Sequence, residues 1–228
     1  MRGRKVGGYE GRKRWRGLLA LLTLLPSSLP TPAHAQTPDP AAILTRAAAA
    51  YAAAGSLEAD FRQTIADENI GTFRSRGHLA QQGGDRFAMR FTDPRGEALV
   101  MDGTKLWAYT PSTTPGQVIR MDQPRGPGAP NLVAWLLDAP TTRYTATWLR
   151  RDSTGVDFVR LVPRDPSLPF REATVAFAAS DGLPRWIDVV EQGGARRTLA
   201  LSKVRAGRRL PRSTFRFDVP SGVRVVDQ

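Results

Sequence analysis

The stretch DPAAILTRAAAAYAAAGSLEADFRQTI, Asp39 to Ile65, changes its period halfway along, and that change sets the fold class. Its first half is a helix by rule. Asp39 is an N-cap residue, Pro40 sits at the first helical position, where its missing N–H is no loss, and the alanine-rich run ends at Gly55, a natural C-cap. Ile43, Leu44, Ala47, Ala48 and Tyr51 fall at helical spacing, so this helix has one apolar stripe and must lie on an apolar surface. From Ser56 the period is two. Leu57, Ala59, Phe61, Gln63 and Ile65 point one way and Glu58, Asp60, Arg62 and Thr64 the other, which predicts a strand with one dry face.

Toward the C-terminus, short alternating runs recur at residues 73–81, 86–91, 98–102, 106–109, 117–121, 144–149, 156–162, 173–178, 185–191, 198–204 and 214–219. The joints are pairs such as Asp102-Gly103, Asp181-Gly182, Gly193-Gly194 and Ala206-Gly207, and connections this short allow antiparallel neighbours only. One interruption, DQPRGPGAPN from Asp122 to Asn131, leads into LVAWLLD. There Leu132, Trp135 and Leu136 share a helical face, Asn131 is placed to cap it and Pro140 to stop it. About eleven strands with two or three helices predict a mainly β (α+β) fold: a large antiparallel sheet rolled into an incomplete β-barrel, its concave face covered by helices over an apolar cavity.

Toward the N-terminus the chain reads as an export leader. A basic start, the apolar run Leu18 to Leu25 and the small-residue exit Ala33-His34-Ala35 follow in order, and the run is far shorter than the roughly 20 apolar residues of a membrane span. The expected division is a cleaved signal peptide over residues 1–35 and a single domain over residues 36–228. Seven of the 33 Lys and Arg residues and one of the 21 acids lie in the leader, so the remainder carries a net charge of +6 rather than +12. Those bases are scattered, and the reading is a solvated surface. Cysteine is absent, which excludes disulfides, thiolate metal sites and a cysteine nucleophile. It also excludes a lipidated cysteine at the cleavage point, so a soluble exported protein is expected.

Candidate chemistry is sparse. His78 is the one histidine after the leader, and neither G-x-S-x-G nor a metal-spaced set of acids accompanies it, so no catalytic residue, metal or cofactor is expected. Arg143, Tyr144, Trp148, Arg150 and Arg151 come nearest to a nucleic-acid face, and export argues against that use. In MDGTKLWAYTP, Met101 to Pro111, Asp102-Gly103 reads as a turn and Asp102 as structural, while Trp107 and Tyr109 share one face, either inside the barrel or outside it. What remains is apolar. Phe87, Met89 and Phe91 alternate on one strand, and with the covering helices they suit a pocket for an acyl chain, whose burial contributes about 0.8 kcal/mol per methylene.

In the order and spacing of LEADFRQ (Leu57 to Gln63), GHLAQQGGDRFAMRFTDP (Gly77 to Pro94), VMDGTKLWAYTP (Val100 to Pro111), the LVAWLL helix and FRFDVPSGVRVV (Phe215 to Val226), the chain resembles the periplasmic outer-membrane lipoprotein carrier family, LolA. The resemblance implies a non-enzymatic, monomeric periplasmic carrier. Such a carrier takes the acyl chains of lipoproteins from an inner-membrane ABC transporter and passes them to an outer-membrane lipoprotein acceptor. Phe87 and Met89 match the strand that lines the family's cavity, and Leu132, Trp135 and Leu136 match its lid. Alternation and the helical stripe add Phe61, Phe91 and Ile43. Where the family has Arg-Pro before the Phe-bearing strand, with the arginine latching the lid, this chain has Gly83-Gly84, and Arg86 and Arg90 are the nearest substitutes. The alternative on the same fold is a lipid or lipoprotein sensor, or a glycolipid-binding regulatory protein.

Overall fold

The computed structural model describes residues 37–126 and 129–228; the leader expected over residues 1–35, and Gly128 of the Gly-rich interruption, lie outside the described residues. Helix α1 (Pro40–Ala54) starts where the Asp39 carboxylate accepts a hydrogen bond from the Ala41 N–H at 2.9 Å, and it ends at Gly55 in a left-handed conformation, φ 64°. Six strands follow, β1 (Ser56–Asp67), β2 (Gly71–Gln82), β3 (Arg86–Asp93), β4 (Arg95–Asp102), β5 (Lys105–Tyr109) and β6 (Gln117–Asp122). After the Pro/Gly-rich loop come α2 (Leu132–Leu136) and α3 (Pro140–Arg143). Then β7 (Tyr144–Arg151), β8 (Val156–Pro163), β9 (Phe170–Ala178), β10 (Pro184–Glu191) and β11 (Arg196–Ala206) run to the short final β12 (Arg224–Asp227).

All twelve strands form one sheet in the order β12-β6-β5-β4-β3-β2-β1-β11-β10-β9-β8-β7. Its ends, β12 and β7, do not pair, so the sheet rolls into an incomplete barrel. The inward residues of strands on both sides of β1, together with α1 and α2, make one hydrophobic cluster, which is where the core sits. Packing inside is set by register. Phe61, Gly77 and Phe91 lie opposite one another on β1, β2 and β3. A Cβ on Gly77 would come within 2.1 Å of the Arg90 carbonyl oxygen, and the glycine lets the Phe61 and Phe91 rings meet edge to face at 5.2 Å.

A second cluster covers the outer face. Ala80, Ala88, Val100 and Trp107 lie in one cross-strand row, and the small side chains of its two alanines leave room for the C-terminal segment. Phe215 is buried there, and Phe217 stacks on Trp107 with ring centroids 5.7 Å apart. Trp107 and Tyr109 therefore face outward. The expected strand over residues 214–219 is corrected: a 3-10 turn (Arg212–Phe215) and an extended segment stand there, because Phe215 and Phe217 pack face-on against the sheet instead of pairing at its edge. The true last strand is β12. It pairs with β6 in parallel, contrary to the all-antiparallel expectation, since the chain first crosses the outer face. Pro140 is corrected too, because it opens α3 as well as closing the segment after α2.

The Asp102 turn is structural, as its sequence indicates. Its Oδ1 accepts hydrogen bonds from the Thr104 N–H and hydroxyl and from the Lys105 N–H, Oδ2 accepts one from the Trp107 indole at 2.9 Å, and Gly103 takes φ 107°. Partial burial pushes this carboxyl up, but the bonds from Lys105, Trp107 and Thr104 outweigh it and hold the pKa at about 2. A depressed folded pKa contributes stability that is fully present above the ordinary carboxylate range and is lost as pH falls toward 2. Asp102→Asn should cost roughly 1 kcal/mol at neutral pH, a charged-group hydrogen-bond figure reduced for partial exposure. In urea melts the gap between wild type and variant should shrink between pH 4 and 2, and a gap independent of pH would show that the carboxylate's charge is not what the turn uses.

Candidate functional site

The structure brings the eight apolar residues singled out in the sequence into one place. Ile43, Phe61, Phe87, Met89, Leu132, Trp135 and Leu136 are buried in the concave cluster, and Phe91 packs against it half-buried. Three sources supply them. The sheet gives Phe61, Phe87, Met89 and Phe91 from inward positions of β1 and β3, α1 gives Ile43 from its stripe, and α2 lays Leu132, Trp135 and Leu136 onto them from above. Leu136 is 1% exposed, so the side chains of this cover occupy the sheet's concave space themselves.

Cavities remain around the cover. A cleft of about 650 Å³ opens between α1, the β2–β3 turn and the loop before α2, with Tyr51, Gly84, Arg125, Asn131 and Trp135 on its walls. Two smaller cavities, about 170 and 230 Å³, flank Leu132 deeper in the sheet. Phe87, Met89, Leu99 and Leu199 line the first, and Phe170, Val189 and Trp135 the second. The walls are mostly apolar carbon.

A polar tie adds to the apolar burial that holds the cover down, and sequence reasoning missed it. Gln81 occupies an inward position of β2 and is 2% exposed. Its Oε1 accepts hydrogen bonds from the Tyr51 hydroxyl of α1 and from Asn131 Nδ2, the latter at 2.9 Å. Asn131 in turn caps α2, its Oδ1 accepting from the Ala134 N–H at 3.2 Å. One amide oxygen thus ties sheet, first helix and cover together. Burial pushes the Tyr51 hydroxyl far above the ordinary tyrosine range, against smaller opposing effects from Asn131 and Gln81, so it stays a neutral donor at any physiological pH. A polar residue among the inward residues Leu79 and Leu57 was the available signal.

The substitute latches expected from the sequence do not serve. Alternation places Arg90 on the outer face, where its guanidinium donates to the backbone carbonyls of Arg216, at 2.8 Å, and Thr214, at 3.4 Å, fastening the C-terminal segment. Arg86 shares that outward parity. Gly83 does backbone work instead, with φ 65° and its N–H donating to the Gly55 carbonyl at 2.8 Å. His78 is also outside, bonded through Nδ1 to Asp60 at 2.6 Å on an exposed surface.

Comparison with known proteins agrees with this architecture. A family model described as outer membrane lipoprotein carrier protein LolA matches residues 52–218. The outer-membrane lipoprotein carrier protein of Methylobacillus flagellatus is 25% identical over 78% of this chain and 85% of its own length. That of Halorhodospira halophila is 28% identical over 72% and 75%. Among solved structures, a conserved protein from Thermus thermophilus superposes with a TM-score of 0.52 at 14% identity, covering 82% of this chain and 98% of that one.

The Gln81 tie can be tested on its own. Gln81→Leu strands the Asn131 amide and the Tyr51 hydroxyl without an acceptor, at a cost of about 1 to 3 kcal/mol. Backbone amides of residues 131–137 should exchange with deuterium faster in the variant while those of β9 and β10 keep their rates. Unchanged exchange in the cover would show that Gln81 does not hold it.

Proposed function

The chain belongs to the LolA family of outer membrane lipoprotein carrier proteins, and from that premise we propose that it shields the acyl chains of lipoproteins between its concave sheet and the helical cover. The observation that supports this most is the nature of the interior. Phe61, Phe87, Met89 and Phe91 of the sheet meet Leu132, Trp135 and Leu136 of a five-residue helix bordered by loop, so part of the apolar surface is separated from solvent by one short element, beside the longer α1. Displacing it would expose a surface to which acyl chains bind by burial alone, with no covalent chemistry asked of the protein.

On this reading the leader over residues 1–35 is removed on export, and residues 36–228 act as one soluble, monomeric domain in the periplasm. An ATP-driven transporter of the inner membrane loads it, and an outer-membrane acceptor unloads it. The site is the set Ile43, Phe61, Phe87, Met89, Phe91, Leu132, Trp135 and Leu136, with no catalytic group, metal or cofactor.

Leu136→Glu places a carboxylate against the concave face. The variant should still melt cooperatively yet lose about tenfold or more of the wild type's release of lipoprotein from inner-membrane vesicles. Full release by the folded variant would place the cargo elsewhere.

A further inference from the structure

Two buried donor atoms on the concave side have no hydrogen-bond partner among the described residues: Nε1 of Trp135, which belongs to the apolar cluster, and Nε of Arg197, whose side chain is otherwise 37% exposed. Buried polar groups are nearly always paired, so each unpaired one asks what it is for. Both residues line the same 230 Å³ cavity, with Phe170 and Val189 as apolar walls and Glu191 as its other charged group. Both are also held in place. Trp135 is 6% exposed and packs on Phe170 with ring centroids 5.3 Å apart. Arg197 lies opposite Val189 and Ile65 in the sheet and donates through a terminal nitrogen to Glu191 Oε1 at 3.1 Å. Arg197 also borders the neighbouring 170 Å³ cavity, so it stands between two apolar spaces.

The chemistry narrows the ligand. Glu191 balances the charge of the guanidinium while leaving Nε–H free, so the pair presents hydrogen-bond donors with little net positive charge. A carboxylate or phosphate would meet Glu191 as a like charge. A neutral carbonyl oxygen would not, and it accepts from N–H without placing a second negative charge beside Glu191.

We propose that Trp135 Nε1 and Arg197 Nε anchor the neutral carbonyl oxygens of acyl esters or amides, the linkages by which acyl chains join a lipid or a lipidated protein. This rests on the carrier reading and adds to it the chemical group that the site recognises. Apolar walls alone accept any alkyl chain, whereas two donors select chains that end in a carbonyl.

The test compares probes that differ only in that carbonyl. The full domain is titrated with dipalmitoylglycerol, with the dihexadecyl ether that lacks the carbonyls, and with palmitate, each displacing a fluorescent acyl probe. Wild type should bind the diester about five- to tenfold more tightly than the diether, the fold-change of one to two net hydrogen bonds. Trp135→Phe, which removes only the indole N–H, and Arg197→Lys, which keeps the charge beside Glu191 and removes Nε, should each lower that ratio, and together they should bring it to about one. Equal binding of diester and diether by wild type, or an unchanged ratio in the double variant, overturns the proposal and leaves the carrier reading standing. Preference for palmitate over the diester overturns the neutral-carbonyl assignment. Binding of none of the three removes the carrier reading and the proposal with it.

Discussion

A sheet whose two edge strands never meet leaves one apolar concave face that nothing in the sheet can bury. Twelve strands end in β12 on one side and β7 on the other, and the inward residues between them form a surface that water would otherwise wet. The covering elements answer this constraint. Helix α1 brings Ile43, Leu44 and Ala47, and α2 brings Leu132, Val133, Trp135 and Leu136, all into the same cluster. A helix of five residues has almost no stability of its own, so α2 exists because of what it covers.

Polar groups then decide how tightly the cover sits. Gln81 gives sheet, α1 and α2 a common acceptor, and its position beneath the cover leaves it 2% exposed at the wall of the cleft. The outer face is managed differently. Arg90 binds carbonyls of the C-terminal segment, and Arg120 makes a bidentate pair with Asp227, so the segment from Gly207 onward is fastened across β2 to β6. Its fixings are many and face solvent, whereas the cover has a few buried ones. The two layers over one sheet are thus unequal in how readily they can be lifted.

Local rules made some of this legible in the sequence. The Asp39 cap, the Gly55 stop, the Asn131 cap and the alternation of Phe87, Met89 and Phe91 depend on neighbours along the chain, and the structure repeats them. The misses depend on distant parts. Phe215 and Phe217 alternate as a strand would, but their partners are Trp107 and the small residues of β2 to β4, which no local pattern names. Gln63 and Gln81 are both inward glutamines of adjacent strands, and only Gln81 meets Tyr51 and Asn131. Arg90 stands among the substitutes for a lid latch that the sequence offers, although its parity is outward, and the sequence could not show that carbonyls from residues 214 and 216 would be waiting there.

A concave face that is filled by its own cover would, if it binds the proposed acyl cargo, set its affinity by difference. Burying a side chain of the size of Leu132 or Leu136 stabilises by about 1.5 to 3 kcal/mol, and a methylene of a ligand contributes about 0.8 kcal/mol. An acyl chain entering the concave face of this protein must displace some of those contacts, so part of its transfer free energy is spent on opening α2. The net affinity is then smaller than the chain's own hydrophobicity, and it can be changed by whatever strengthens or loosens the cover without altering the cavity wall. On the proposed carrier reading, that arrangement would let the protein hide a long acyl chain from water and still give it up, because a cover displaced on loading is an internal competitor for the same face.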